Sequence, residues 1–247
     1  MRPPCLLAFD TATEFCSVAL ARAGGVIERS EHVGQRHSQF VLPMAQQLLA
    51  EAGATLADLD ALAFGAGPGS FTGLRIACGV AQGLAYGIDR PVVPVGNLAA
   101  LALNAAELAP LAFAAAGGAR RIAVAIDARM QQVYWAVYEL RDGDAVELSA
   151  PALAAAAELP ALIDHFAPHA LAGDALAVFA PALQSAAVAQ RLPQARAGAG
   201  AIARLACIGL ARGRALPAAQ AMPLYVRDRV ALTIDERHAA SAAGAAA

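Results

Sequence analysis

Leu6-Leu7-Ala8-Phe9-Asp10-Thr11-Ala12-Thr13 is a short apolar run that stops at a turn of carboxylate and hydroxyl groups. Its centre, Ala8-Phe9-Asp10, returns 117 residues later as Ala125-Ile126-Asp127. Each Asp is closely followed by a second strand-like run, Cys16 to Ala21 in the first case and Gln132 to Leu140 in the second. The latter alternates Val133, Trp135 and Val137 against Tyr134, Ala136 and Tyr138, the period of a half-buried strand. The chain therefore reads as a degenerate internal duplication: two α/β lobes, each opening with strand, Asp turn, strand.

Working outward from the first Asp turn, Gly24-Gly25 leads into a third run, Val26 to Glu31, so the lobe opens as an antiparallel meander. Phe40, Val41, Met44, Leu48 and Leu49 recur at helical spacing between Ser38 and Ala52, and Pro43 predicts that this helix starts near Leu42 or is kinked there. Gly53 ends it. Leu59 to Phe64 predicts a strand feeding the glycine-rich turn Gly65-Ala66-Gly67-Pro68-Gly69-Ser70. A helix over Phe71 to Tyr86, a strand at Val92 to Val95 and a helix at Asn97 to Leu108 complete a βββαβαβα lobe. Residues 109–121 read as a linker. Beyond it, alanine blurs the pattern, leaving helices at Leu159 to Phe166, Val178 to Gln190 and Ala199 to Arg212 and a weak strand at Ala170 to Leu171. The division predicted is residues 1–108, residues 109–237 and a disordered tail over 238–247.

Composition excludes several chemistries. The 247 residues include 18 arginines and no lysine, so there is no P-loop lysine, no Schiff-base lysine and no lysine general base. Of the apolar residues, 68 are alanine, which accounts for much of the 58% hydrophobic content. The uncharged run Pro91 to Ala106 has 16 residues and contains two asparagines, too short and too weak to span a bilayer. Met1-Arg2-Pro3-Pro4 leads straight into the first strand with no secretory pattern, so a cytoplasmic location is expected. Cys5, Cys16, Cys78 and Cys207 are scattered and read as small buried residues. A net charge of −2 without basic runs argues against autonomous nucleic-acid binding.

Three features could carry chemistry or contacts. Asp10 and Asp127 could present carboxylates to a nucleotide from either side of a cleft, or could cap turns. The loop Gly67-Pro68-Gly69-Ser70-Phe71-Thr72-Gly73 opens a helix. It has three residues between its last two glycines where G-x-G-x-x-G needs two, and Ser70 is not in a G-x-S-x-G elbow. On the helix itself Gly79, Gly83 and Gly87 repeat every four residues beside Gly73, Ala77 and Ala81, which implies close packing within the lobe or against a partner. His165 and His169, with Pro168 between them, read as a surface pair rather than metal ligands. His37, beside Arg36, could bind an anion, but reads more simply as an exposed helix start.

On several of these segments the chain resembles the TsaB (YeaZ-type) family, subunits of the bacterial machinery for N6-threonylcarbamoyladenosine in tRNA. They are Leu6 to Thr13, Arg36-His37-Ser38 with Leu42-Pro43, Gly65 to Arg75, Ala81 to Ala85, Ala125 to Arg129, and Pro223-Leu224-Tyr225-Val226-Arg227. The resemblance implies an actin-like ATPase (ASKHA) fold of two duplicated βββαβαβα lobes. It implies an accessory, non-catalytic subunit that pairs with the paralogue TsaD, is joined by TsaE, and meets tRNA only through the complex. The threonylcarbamoyl group would pass from its adenylate to the adenosine 3′ of the anticodon in tRNAs reading ANN codons.

The paralogue's metal histidines would fall at Asn97 and Leu101, so no metal, cofactor or catalytic residue is expected in this chain alone, with ATP and metal in its partners. Asp10, Thr11, Thr13 and Asp127 would line a closed, vestigial nucleotide cleft. The pairing surface, with TsaD or with a second copy when TsaD is absent, would involve His37, Phe40, Val41, Met44, Leu48, Phe71, Leu74, Arg75, Cys78, Gly79 and Gly83. The competing reading is a metal-dependent peptidase or actin-like-fold kinase acting alone.

Overall fold

The computed structural model describes residues 2–109 and 120–227. The linker residues 110–119 and the tail over 238–247 lie outside them. The first lobe runs β1 (Leu6–Asp10), β2 (Phe15–Arg22), β3 (Gly25–His32), α1 (His37–Glu51), β4 (Ala61–Gly67), α2 (Phe71–Gly87), β5 (Val92–Gly96) and α3 (Asn97–Leu108). The second repeats it with β6 (Arg120–Asp127), β7 (Gln132–Arg141), β8 (Asp144–Ala155), α4 (Leu159–Asp164), β9 (Ala170–Ala172), α5 (Ala175–Val178), α6 (Ala180–Leu183), β10 (Gln190–Leu192) and α7 (Ala199–Ala211).

Both sheets have the same strand order, β3-β2-β1-β4-β5 and β8-β7-β6-β9-β10. In each, the first strand pairs antiparallel with the second and parallel with the fourth: Phe9 faces Val18 and Phe64, and Val124 faces Ala136 and Ala172. This is the duplicated actin-like fold. The short apolar runs of β1 and β4 are buried on both faces, as central strands covered by helices on both sides must be.

A helix start near Leu42 is excluded, one expected helix is corrected and one strand is added. Helix α1 begins at His37, six residues before Pro43. The proline sits on the exposed side, where the Gln39 carbonyl that loses its amide partner meets water. No helix spans Val178 to Gln190; two four-residue turns end at Leu183, and Gln190–Leu192 instead joins β9 as a parallel edge strand. The long strand β8 was not anticipated. It is the other edge of its sheet and accommodates Pro151, which an edge position permits.

The lobes exchange their last helices. Helix α7 lies across β1 to β5 of the first sheet, while α3 packs against β6, β7 and β8 of the second. Together they build one shared core in which Leu98, Leu101, Ile202 and Leu205 meet Leu6 and Ala8 from one sheet and Ile122 and Val124 from the other. Alanines at 100, 102, 105, 199, 201, 203 and 206 fill the same core. Small side chains there let two helices and two sheets approach closely. Ser17 of β2 seals the junction, its Oγ accepting the Ala199 backbone N–H at the start of α7 (2.9 Å).

Candidate functional site

A cleft of about 990 Å³ lies between the lobes. Its walls include Thr13, Glu14, Pro68 to Gly73 and Asn97 from the first lobe, with Asp127, Arg129 and Asp174 from the second. The expectation of a closed cleft is therefore corrected: the cleft is open.

The end of β1 is arranged by hydrogen bonds that the sequence leaves ambiguous. Asp10 is 2% exposed, and its Oδ1 accepts the Ala12 N–H (3.1 Å) and the Asn97 Nδ2 (2.9 Å). Asn97 then accepts the Gly67 N–H on its Oδ1 (2.7 Å). One amide thus ties the first Asp turn to the glycine-rich segment after β4. Gly65 is required beneath it, since a Cβ there would lie 2.7 Å from Asn97 Nδ2 and 2.8 Å from Asp10 Oδ1. Burial raises the Asp10 pKa, and the Ala12 and Asn97 hydrogen bonds oppose that shift.

Thr11 and Thr13 serve the backbone. Thr11 Oγ1 donates to the Gly73 carbonyl (2.7 Å), and the Gly73 backbone approaches so closely that a Cβ would stand 1.8 Å from the Thr11 carbonyl oxygen. Thr13 Oγ1 accepts the Phe15 N–H (3.2 Å), and its carbonyl bonds His37 Nε2 (2.8 Å). His37 is therefore buried, which corrects its reading as an exposed helix start. Asp10 and Thr11 lie behind the cleft wall rather than on it.

The second Asp turn repeats the first. Asp127 Oδ1 accepts the Arg129 N–H (2.8 Å), the same two-residue reach as Asp10 to Ala12, and Oδ2 pairs with the Arg129 guanidinium (3.1 Å). Both aspartates cap turns in this way. Here the turn is strained. Arg129, Met130 and Gln131 have φ of 65°, 54° and 58°, three consecutive non-glycine residues in the left-handed region. Each costs on the order of 1 kcal/mol or more.

Sequence reasoning missed Asp174. Its Oδ1 accepts the Asp127 N–H (2.9 Å), and its pKa is raised by burial and by the neighbouring Asp127 and Glu14 carboxylates. The signal was Gly173-Asp174 at the end of a weak strand. Gly173 has φ +115° and comes so close to Ala125 that a Cβ would be 2.1 Å from its carbonyl oxygen. Arg196, stacked 4.0 Å over the Phe15 ring across the lobes, was also missed.

The expected pairing residues separate into two sets. Val41, Met44, Leu48, Leu74 and Cys78 are buried in this chain's own core, and His37 is buried too, so the expectation that all of them face a partner is corrected. Phe40 is half-buried, while Phe71, Arg75, Gly79 and Gly83 are exposed. A Cβ at Gly79, Gly83 or Gly87 would meet nothing within 4 Å, so this row has no neighbour within the described residues. His165 is exposed, and His169 Nδ1 accepts the Arg121 N–H. Among the described residues no group of three or more His, Cys, Asp or Glu side chains could hold a metal ion, and no helix is long and apolar enough to cross a membrane.

A family model described as "TsaD: tRNA N6-adenosine threonylcarbamoyltransferase" matches residues 15–231. The chain is 48% identical over 134 residues to the "tRNA threonylcarbamoyladenosine biosynthesis protein TsaB" of Escherichia coli (strain K12). That match spans 54% of each protein, so the chain spans about half the length of this curated relative. An uncharacterized protein of Mycobacterium tuberculosis is 35% identical over 191 residues, 73% of this chain and 80% of that one. Among solved structures, a Pseudomonas aeruginosa protein "with similarity to peptidase YEAZ" superposes with a TM-score of 0.79 at 38% identity, covering 91% of this chain and all of that one.

Proposed function

The chain belongs to the family described as TsaD, tRNA N6-adenosine threonylcarbamoyltransferase, as a TsaB (YeaZ-type) member, and from that membership we propose that it is an accessory subunit in the threonylcarbamoylation of tRNA. It pairs with TsaD, with TsaE joining them, and promotes transfer of threonylcarbamoyl from its adenylate to the adenosine 3′ of the anticodon. It contributes no catalytic residue, touches tRNA only within the complex and works in the cytoplasm. ATP and metal belong to its partners.

The observation that carries this reading is the Asp10–Asn97–Gly67 network. At the two positions where the family resemblance implies metal-binding imidazoles in the catalytic paralogue, this chain has Asn97 and Leu101. Asn97 spends both ends of its amide on Asp10 and Gly67, and Leu101 is 2% exposed in the shared core. A leucine has no donor atom for a metal, so these residues do not fit one. The absence of lysine removes the usual cation for nucleotide phosphates.

The pairing face is the exposed side of α2. Glycines at 79 and 83 are costly in a helix interior unless another backbone comes close, and none within the described chain does. A partner helix from TsaD, or from a second copy when TsaD is absent, supplies that contact. Reconstitution with TsaD, TsaE, the adenylate and tRNA, omitting each protein in turn, tests the whole reading. Modification should need this chain and TsaD together, and transfer by this chain alone would overturn it. Gly83→Leu projects into open space on the isolated chain, so it should leave the fold intact and abolish pairing.

A further inference from the structure

After α7 the chain does not stop at the second lobe. Leu216 forms a two-way backbone bridge with Val92 of β5, and the chain then runs along α2. Gln82 Nε2 donates to the Ala218 and Ala221 carbonyls (3.1 and 2.8 Å), and the Leu224 N–H donates to the Ala66 carbonyl. Arg75 Nε donates to the Tyr225 hydroxyl (3.0 Å) while its guanidinium lies 3.8 Å over the Phe71 ring. All of these anchors belong to the first lobe.

The next contact belongs to the second. Arg227 reaches the strained turn after β6, donating to the Ala128 carbonyl (2.9 Å), to Gln132 Oε1 (2.8 Å) and to Met130 Sδ (3.2 Å). The two ends of this strap flank wall segments of the same cleft, Pro68 to Gly73 on one lobe and Asp127 to Arg129 on the other.

From this geometry we infer that residues 216–227 are an interlobe clasp, closed by Arg227 on the left-handed turn Arg129–Gln131, and that it sets how far the cleft opens. Two features suit a clasp that releases rather than a permanent rivet. Among the described residues no carboxylate pairs with Arg227, whose partners are two neutral oxygens and a thioether, and its buried Nε has no hydrogen-bond partner. A half-buried guanidinium whose partners among the described residues are neutral acceptors is held less firmly than in an ion pair. The turn it grips is in a backbone state that three non-glycine residues keep only while their surroundings enforce it. When Arg227 lets go, the turn relaxes and one of the ties between the lobes is lost.

The test uses the full chain. Spin labels at Gln35→Cys and Gln194→Cys, exposed residues on opposite walls of the cleft, report lobe separation in a Cys207→Ala background. Hydrogen exchange reads the turn and the strap separately. Arg227→Met should shift the label distance longer and broaden it. It should also remove protection from the Ala128 and Gln132 amides, while the Leu224 amide stays protected because its anchor lies on the first lobe. Arg227→Lys, which keeps one donor, should give a smaller shift. An unchanged label distance overturns the inference, even if the turn loosens. Loss of Leu224 protection overturns it equally, since Arg227 would then be holding the strap rather than the lobes.

Discussion

Replacing Gly79 and Gly83 together with alanine should stabilise the isolated chain, and the size of the gain follows from two structural facts. Both residues lie inside the 17-residue helix α2, and a Cβ at either site meets nothing within 4 Å. Each substitution therefore gains the helix-propensity difference of roughly 0.5–1 kcal/mol with no steric debit. The pair gives about 1–2 kcal/mol, a rise in Tm of roughly 2–8 °C for a domain of this size. Calorimetry and urea denaturation, run across a dilution series so that self-association does not enter, would measure it. The control is Gly73→Ala in the same helix, where the new Cβ would stand 1.8 Å from the Thr11 carbonyl oxygen. Overpacking of that kind costs about 1–3 kcal/mol or more. A fall in Tm for the double variant at the lowest concentration would refute the claim that the row is free of neighbours within this chain.

Three further outcomes follow from the site. Asn97→Ala removes a donor from the buried Asp10 carboxylate and an acceptor from the Gly67 N–H, and should cost about 2–4 kcal/mol in urea denaturation. Asp10 holds its proton more tightly folded than unfolded, so its contribution is complete below the unfolded pKa and is lost as pH rises through the folded one. Asp10→Asn cannot ionise, so its stability relative to the parent should climb from acid towards neutral pH, and a pH series of denaturation curves showing the opposite slope would contradict the burial. Thiol titration of the native chain at pH 8 should find Cys207, half-buried and with its own thiol pKa raised by burial, reacting slowly but ahead of the other three. Cys5, Cys16 and Cys78 are buried, and burial pushes the Cys16 thiol up to about 12.

The duplication was readable because its marks are backbone requirements. An Asp that reaches two residues forward to cap a turn looks the same in both lobes, and Asp10 and Asp127 do this at matching ends of β1 and β6. The second lobe's interior was not readable. Alanine favours helix locally, yet Gln190–Leu192 pairs with β9, because the ladder outweighs a propensity worth tenths of a kilocalorie. The proposed pairing face was half-legible for a different reason. Apolar spacing marks a buried stripe without saying what buries it, so Val41, Met44 and Leu48 looked like interface and are core. The glycines carried a separate signal, a helix-propensity cost that no neighbour among the described residues offsets. Asp174 and Arg227 act at long range, 47 and 99 residues from the groups they hold, and local pattern is silent at that distance.

The exchange of α3 and α7 also orders events in time. During synthesis the first sheet is complete once Gly96 has emerged, but the helix that lies across it spans Ala199–Ala211. Until that helix arrives, the nascent chain carries an uncovered apolar sheet face through the making of the whole second sheet. Such long-range closure slows folding and leaves an aggregation-prone surface in the interval. A ribosome-bound chain halted before Ala199 should thus bind a hydrophobic-surface chaperone, and one extended past Ala211 beyond the exit tunnel should release it.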